Sequence, residues 1–280
     1  MDGRGMTNNP GLDVTTLRGL LRPAHPMNTI LDRIADHLNT YDGYVAFSGG
    51  KDSVATLHLA LQVDPNVPVV FFDSGLEYPE TYRYITDLTA AWHLNIDIIP
   101  ADMTVLQILI ADGSWDHHAT QTRTPDLFDA LIAKPAHEAH TRHGPGELWG
   151  VRAAESAGRR AAYGKALRTE TQHCKCCPSP AIQRLRHGGL IRRQDGTIAY
   201  GPIWDWSTEA VWVYLQRNHI PPNPVYAKLE ALGAPEASRR VTYMIDANHL
   251  EHGRAVWLKR GWPTLYQRLC QYLPRLTEWV

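Results

Sequence analysis

The sequence of 280 residues is long enough to bury a large core, and with 44% hydrophobic and 20% charged residues it has the composition of an ordinary globular protein. Its formal net charge of −1 gives no overall signature of nucleic-acid binding, although a local basic face is compatible with it. No apolar run approaches membrane-span length, and only 4 cysteines occur, which argues against a membrane protein and a secreted disulfide framework. We therefore expect a cytoplasmic α/β protein that makes no membrane contact.

The sequence pattern of the first part of the chain predicts a tail followed by a helix. Residues 1–26 mix Gly, Asn, Pro and Arg around one short apolar patch, which predicts a flexible tail. Residues 28–38 place Ile30, Ile34 and Leu38 on one helical face. This pattern predicts a helix that packs beside the first strand.

The next stretch has the pattern of an anion-binding loop. An apolar run at 44–47 predicts a buried parallel strand, Ser-Gly-Gly-Lys-Asp-Ser follows at 48–53, and apolar residues then recur at helical spacing. Glycines let the backbone approach an oxyanion, and the N–H groups of the first helical turn point at it, so we expect a phosphate chain here, with Lys51 as a further donor. An ordinary glycine turn is the alternative. The usual P-loop motif is excluded by Val45 and Asp52, which stand where it needs glycine and Ser or Thr.

A second strand is predicted at 68–73 and ends in the carboxylate of Asp73. Ligands gather at the carboxyl ends of parallel strands, so we expect Asp73 near the phosphate loop; a helix-capping turn residue is the alternative. A helix at 79–93 and a third strand at 95–100 follow. This alternation predicts a parallel sheet with right-handed crossovers.

Residues 112–145 are rich in histidine. The last three of these histidines, spaced by three, could line up on a helix and bind a metal. Because no cysteine or carboxylate set accompanies them at ligand spacing, we prefer a solvated helix or a mobile flap. The histidines of this segment are His117, His118, His137, His140 and His143.

Two later motifs carry charged or nucleophilic side chains. Arg152 and Arg159 lie in a segment at 147–159, and guanidinium groups bind phosphate or sulfate oxygens in a planar fork. A basic helix face is the alternative. Three cysteines then crowd into residues 174–177, with Cys270 as the only distant fourth thiol. This density suits an iron–sulfur cluster, a zinc site or a sulfur relay, although the spacing differs from the usual Cys-x-x-Cys pairs of structural zinc; plain structural cysteines remain the alternative.

The sequence patterns of the final segments predict a strand, a capped helix and further helices at the C-terminus. Residues 200–212 predict a strand followed by a helix with Ser207 or Thr208 as N-cap. Beyond residue 226, tryptophan and leucine recur in helical rhythm. These C-terminal helices are expected to cover the sheet or to form a partner-binding surface.

Four ordered motifs between residues 44 and 226 resemble the PAPS reductase family of the N-type ATP pyrophosphatases, an adenine nucleotide alpha hydrolase-like superfamily. They are the loop at 48–53, Asp-Ser-Gly with Pro-Glu-Thr-Tyr at 73–82, Gly-x-Arg with Ser and Arg at 150–159, and the aromatic and proline pattern at 200–226. The resemblance implies a doubly wound five-stranded parallel sheet with helices on both faces. It also implies a nucleotide-binding domain at 27–226 and a helical extension at 227–280. Ala153 departs from the family pattern, which has a second arginine there that Arg160 could replace.

The resemblance also implies the site. ATP, or PAPS, would be the substrate, with Mg²⁺, and Lys51, Arg152 and Arg159 would be catalytic. The cysteines Cys174, Cys176, Cys177 and Cys270 would be thiol or metal ligands, because some relatives carry an iron–sulfur cluster, although Gly-Ala-Pro at 233–235 replaces the second cysteine pair. Nucleotide-binding residues would be Phe47, Ser48, Gly49, Gly50, Lys51, Asp52, Ser53, Asp73, Gly75, Gly150, Arg152, Ser156 and Arg159.

Three functions remain open. The first is ATP pyrophosphatase chemistry that adenylates an acceptor for sulfur insertion, as in nucleic-acid thiolation or DNA phosphorothioation, with a cysteine desulfurase as sulfur donor. The second is thiol-dependent reduction of PAPS or adenylyl sulfate to sulfite, which in relatives needs a C-terminal cysteine that residues 273–280 lack, unless Cys174, Cys176 or Cys177 replaces it. The third is a non-catalytic nucleotide-binding subunit. The sequence does not indicate an oligomeric state.

Overall fold

The computed structural model describes residues 27–112, 128–245, 250 and 252–280. The predicted tail at 1–26 and two of the histidines, His117 and His118, lie outside the described residues. Within the described ranges, no helix is both long and apolar enough to cross a membrane.

Strands and helices alternate through the first two hundred residues. The strands are β1 Gly43–Ala46, β2 Val69–Asp73, β3 Ile96–Pro100, β4 Gly146–Leu148, β5 Leu190–Arg192 and β6 Ile198–Tyr200. The helices are α1 Met27–Thr40, α2 Lys51–Leu61, α3 Pro79–Trp92, α4 Val105–Asp112, α5 Lys134–His143, α6 Ala157–Thr171, α7 Pro180–His187, α8 Thr208–Arg217, α9 Val225–Ala231, α10 Arg254–Gly261 and α11 Pro263–Tyr272. A π-helical turn at Asp129–Ala133 precedes α5, and short 3₁₀ turns lie at Ala153–Glu155, Glu236–Ser238 and Pro274–Trp279.

The strands form one sheet in the order β3-β2-β1-β4-β6-β5. The first five of these run parallel, which confirms the predicted doubly wound α/β class. The sheet has six strands instead of the expected five, because β5 pairs antiparallel with β6 at one edge. The two strands form a hairpin whose turn contains Gly196 at φ 89. Strand order reverses between β1 and β4, so the loops after these two strands face one crevice, where α/β folds bind ligands.

Helices cover both faces of the sheet, as the alternation of side chains along a strand requires. On one face, Val45 of β1 and Phe47, which directly follows it, pack in a core with side chains of α1, α2, α3 and α8. On the other, Tyr44 of β1 and Val70 of β2 pack with Ala139 of α5. The predicted N-cap of α8 is Ser207, whose hydroxyl accepts a hydrogen bond from the backbone N–H of Ala210.

The C-terminal helices build a second core with the loop after β2 and with α4. Leu76 and Tyr78 from this loop pack among side chains of α10 and α11. The Arg254 side chain is buried and donates to the Tyr78 hydroxyl, at 3.2 Å, and Trp262 Nε1 donates to Glu80 Oε2, at 2.8 Å. The extension therefore covers the start of α3, and the proposed domain boundary at residue 226 stays a prediction.

Candidate active site

The phosphate loop lies between the end of β1 and the start of α2. Gly49 has φ +69, a left-handed conformation that side-chain-bearing residues rarely adopt, and Gly50 is the extended N-cap of α2. The Ser53 hydroxyl donates to the carbonyl of Gly50 (3.0 Å) and accepts from the N–H of Ser48 (3.1 Å). The N-cap Gly50 has no side chain that could accept from α2, and the Lys51 N–H donates instead to the Tyr226 hydroxyl at 3.1 Å. The loop is therefore rigidly folded with a helix N-terminus that favours an anion.

Asp52 joins two of the three predicted cationic groups of the site, Lys51 and Arg152. Lys51 Nζ donates to Asp52 Oδ2 and Arg152 Nε donates to Asp52 Oδ1, both at 2.6 Å. The guanidinium of Arg152, only 2% exposed, also donates to the carbonyl of Trp206 (3.1 Å) and to Thr208 Oγ1 (3.3 Å). Arg152 thus connects the loop after β4 to the starts of α2 and α8.

Gly150 brings the loop after β4 into direct contact with α2. A Cβ added at Gly150 would lie 2.6 Å from the backbone nitrogen of Ser53 and 2.6 Å from the carbonyl carbon of Asp52. Only a residue without a side chain fits at this distance. Gly150 therefore allows the loop after β4 to contact the start of α2. Its predicted role in nucleotide binding stays a prediction.

The remaining residues of the arginine motif begin α6. The Ser156 hydroxyl caps this helix by accepting from the N–H of Arg159, at 3.1 Å. The Arg159 side chain is about half exposed and forms an ion pair with Glu155, whose carboxylate also accepts from the N–H of Arg152. Arg159 is therefore linked to Arg152 through one carboxylate.

A cleft of about 660 Å³ opens in front of Lys51 and Arg152. This volume suits a small-molecule ligand. Trp212 and Tyr226 form an aromatic side of the cleft and pack edge to face, with 5.3 Å between ring centroids. The lining residues are Lys51, Arg152, Ala154, Glu155, Thr208, Trp212, Pro222, Tyr226, Ala227, Glu230, Glu236, Ala237, Arg239 and Arg240.

Sequence reasoning found Lys51 and Arg152 in this lining but not most of the others. Tyr226 belongs to the aromatic and proline pattern at 200–226, which by itself assigns it no role in a site. Arg239 and Arg240 lie in a loop with no recognisable motif, so nothing in the sequence pointed to them. The cleft lining has four cationic and three acidic side chains, and the carboxylate of Asp52 in the phosphate loop pairs with two of the cations.

Asp73 and Gly75 shape the turn after β2, outside the cleft lining. Asp73 Oδ1 accepts from the N–H of Gly75, at 2.9 Å, and from the Tyr82 hydroxyl, at 2.7 Å. The Tyr82 oxygen also lies 3.0 Å from Oε2 of the buried Glu77. The predicted contact of Asp73 with nucleotide or metal stays a prediction.

The buried Glu77 gives this turn a testable pH dependence. Burial, together with the nearby Asp73 carboxylate, raises the pKa of Glu77 above 4.5, despite hydrogen bonds that lower it. The folded state therefore holds this proton more tightly than the unfolded state, and stability is lost as the pH rises above about 4.5. As the pH rises above about 4.5, we expect the Glu77→Gln variant to lose less stability than the wild type, measured by urea denaturation at a series of pH values.

Glu80 provides a control, because its pKa is shifted in the opposite direction. Burial raises its pKa, but hydrogen bonds from Lys228 and Trp262 outweigh this and lower the pKa below 4.5. Glu80 therefore stabilises the fold above that pH, and Glu80→Gln should reduce the loss of stability on acidification. Parallel pH profiles of Glu77→Gln and wild type would contradict the assignment for Glu77.

The cysteine motif folds into a compact group on the loop between α6 and α7. The Sγ atoms of Cys174 and Cys176 lie 3.2 Å apart, those of Cys176 and Cys177 3.7 Å apart, and Cys177 Sγ lies 3.6 Å from His187 Nε2. Hydrogen bonds from the neighbouring thiols lower the pKa of Cys174 to about 6, whereas burial and the same neighbours raise that of Cys177 to about 11. Cys270 is not in this group and packs against the C-terminal core.

The described histidines of the His-rich segment do not converge. α5 carries His137, His140 and His143, and its Ala139 packs on the sheet. His143 Nε2 lies 3.0 Å from Asp97 Oδ2, and His140 Nδ1 lies 3.0 Å from the carbonyl oxygen of Gly144. His143 and His140 therefore have separate local partners on a helix, and the preference for a solvated helix over a metal site stays a prediction.

A family model described as the phosphoadenosine phosphosulfate reductase domain matches residues 43–244. The chain belongs to this family. The match spans the phosphate loop, the arginine motif, the cysteine group and every residue of the cleft lining.

Two curated reductases are similar to this PAPS reductase family member. Phosphoadenosine 5'-phosphosulfate reductase of Xanthomonas oryzae pv. oryzae is 26% identical over 188 residues, 66% of this chain and 66% of the reductase. Adenosine 5'-phosphosulfate reductase of Pseudomonas aeruginosa is 24% identical over 249 residues, 88% of this chain and 82% of the reductase. The alignment thus covers just under two thirds of the Xanthomonas enzyme.

Solved structures that are similar to the chain include a reductase and a thiolase. Phosphoadenylyl-sulfate reductase from Candida auris has a TM-score of 0.47 at 16% identity, covering 77% of this chain and 94% of that one. A U34-tRNA thiolase from Methanococcus maripaludis has a TM-score of 0.43 at 11% identity, covering 89% of this chain and 80% of that one.

Proposed function

We propose that the chain binds an adenine nucleotide in the cleft and transfers its adenylyl group to an acceptor with release of pyrophosphate. The observation that carries this proposal is the meeting of the phosphate loop and two cations, Lys51 and Arg152, at a cleft that no described cysteine lines. The phosphates would lie on residues 48–53, and Trp212 and Tyr226 would contact the base.

The cations fit the charge that develops in such a reaction. Attack on the α-phosphorus breaks the bond to the β-phosphate oxygen, and pyrophosphate leaves with the electron pair. Donors at the start of α2, together with Lys51, would stabilise this leaving group, and Mg²⁺ would enter with ATP as the substrate complex. Because Lys51 is paired with Asp52 at 2.6 Å, the phosphates would compete with Asp52 for the ammonium group. Arg240, which also lines the cleft, would add a further cation.

The proposal also covers the acceptor of the adenylyl group and its reaction with sulfur. An adenylated oxygen on carbon or phosphorus is a good leaving group, so a sulfur nucleophile could displace AMP from it. A nucleic acid would be one such acceptor, and a cysteine desulfurase one such sulfur donor. The match to residues 43–244 supports nucleotide chemistry without choosing among acceptors.

The test is pyrophosphate release from ATP and Mg²⁺, with candidate acceptors present. Lys51→Ala should lower the rate roughly 10²–10³-fold, the effect of removing one preorganised charge donor. Lys134→Ala is the matched control, because Lys134 is half exposed, pairs only loosely with Asp102 and Asp129, and does not line the cleft. Equal rates for the two variants, with both folded by circular dichroism, would refute the role of Lys51.

Reduction of PAPS or adenylyl sulfate is the second candidate, because the similar curated proteins are named as reductases of these compounds. A reductase needs a thiolate that attacks the sulfur, and the described cysteines lie at 174–177 and 270, outside the cleft lining. Sulfite production from PAPS or adenylyl sulfate with reduced thioredoxin would replace the adenylyl-transfer proposal. Nucleotide binding with neither product would instead favour the non-catalytic subunit.

A further inference from the structure

The cysteine loop and the end of α7 bring four metal-binding side chains together, away from the cleft lining. These are Cys174, Cys176, Cys177 and His187, whose ligand atoms all lie within 4.8 Å of one another. Three are thiols and one is an imidazole, a donor set that structural zinc sites use. Cys177 is buried and Cys176 exposed, so the group lies at the surface with a route for an ion to enter.

We propose that these four side chains form a mononuclear, tetrahedral zinc site. With Zn–S bonds of about 2.3 Å and Zn–N bonds of about 2.0–2.1 Å, neighbouring ligand atoms of a tetrahedron lie about 3.4–3.8 Å apart. The three contacts within the group are 3.2, 3.7 and 3.6 Å. The side chains therefore need only small rotations to surround one ion.

The same spacing disfavours an iron–sulfur cluster. In a cuboidal cluster each ligand binds a different iron, so its ligands lie farther apart than those of a single ion. Residues 233–235 are Gly-Ala-Pro, and Cys270, the remaining cysteine, packs in the C-terminal core. No second cysteine pair therefore joins the group within the described residues.

A site with four protein ligands is closed, so the ion would be structural. It would fix the loop after α6 to the end of α7. α7 is otherwise held at the surface by hydrogen bonds such as Arg33 Nη1 to the carbonyl of Leu185 (3.2 Å), and by Arg184, which pairs with Asp205 and lies over the Trp204 ring. Since α6 begins two residues after Glu155, which lines the cleft, the ion would also steady the helix that follows this part of the lining.

Histidine variants test which imidazole binds. His173 directly precedes the cysteines but is not among the four convergent side chains, whereas His187 lies ten positions beyond Cys177. We expect His187→Ala and Cys176→Ser to lose zinc, and His173→Ala and Cys270→Ser to retain it.

The full chain, purified under reducing conditions, would be analysed for zinc and iron and then stripped with a chelator. We expect about one zinc per chain, a lower melting temperature after stripping, and recovery with zinc. Cobalt added to the stripped protein should give the visible absorption of a tetrahedral thiolate site. Iron with acid-labile sulfide, loss of zinc from His173→Ala but not His187→Ala, or failure of the stripped wild type to bind either ion would overturn the proposal.

Discussion

Arg152→Ala is expected to lower the free energy of unfolding by about 3–5 kcal/mol, the range for removing one partner of a buried ion pair. The Arg152 side chain is 2% exposed and donates to Asp52, to the carbonyl of Trp206 and to Thr208. The substitution leaves the buried carbonyl without its charged donor. Because Asp52 keeps Lys51 as a partner, we expect the lower end of the range. Equilibrium denaturation in urea measures the loss.

Arg159→Ala is the matched control, since it removes a guanidinium from the same motif. The Arg159 side chain is 46% exposed and pairs only with Glu155 in the described contacts, so we expect a change of about 0–1 kcal/mol. A third variant, Arg152→Lys, keeps the charge but lacks the planar fork that reaches three acceptors, so it should lie between them. If Arg152→Ala unfolds at the same urea concentration as Arg159→Ala, Arg152 does not hold the loops together.

Gly150→Ala is expected to abolish tight nucleotide binding while the rest of the fold persists. The new methyl group would overlap the backbone of Asp52 and Ser53 at 2.6 Å, so the first turn of α2 or the loop after β4 must move. Overpacking of this kind typically costs about 1–3 kcal/mol, and more where the obstacle is backbone. Displacement of the helix N-terminus also misplaces the donors that would hold the phosphates. Nucleotide affinity by calorimetry and stability by denaturation are the measurements.

Gly158→Ala separates this effect from the general consequence of replacing a glycine. Gly158 lies in α6, and the nearest atom to an added Cβ is Ser156 Oγ at 3.9 Å. Alanine is a better helix former than glycine, so this variant should be more stable by about 0.5–1 kcal/mol and should bind nucleotide normally. Normal binding by Gly150→Ala would show that the two loops can separate without harm.

Most strands and helices could be predicted in chain order, because most of them have their own sequence signal. The apolar run of β1 followed by Gly49 and Gly50 predicts a strand, a turn and a helix start, and similar apolar runs predict β2 and β3. β4 was not predicted, because Gly146–Leu148 is too short to show a strand pattern. β5 was missed because Leu190–Arg192 is three residues long and mostly half-exposed, too short for a period to be seen.

The side-chain partners of the site could not be predicted in the same way. Arg152 has the residue type of an anion ligand, but its partner Asp52 lies 100 positions earlier and is met only after the chain folds. His187 lies among basic residues with no ligand motif, and Arg240 reaches the cleft through the packing of a loop. The residue type predicts which chemistry a side chain can perform, whereas tertiary contacts decide which side chains lie together at one site.

The two edge strands of the sheet bear on self-association. Exposed edges invite another chain to add a strand, and natural proteins discourage this with proline, charge and short strands. β3 ends in Pro100, which lacks an N–H, and its Asp97 is engaged by Arg142. β5 has three residues and ends in Arg192, which is bound to Glu170 and to Tyr41. Both borders thus resist strand addition, so partially unfolded forms of this protein should aggregate through their exposed cores rather than through growth of the native sheet.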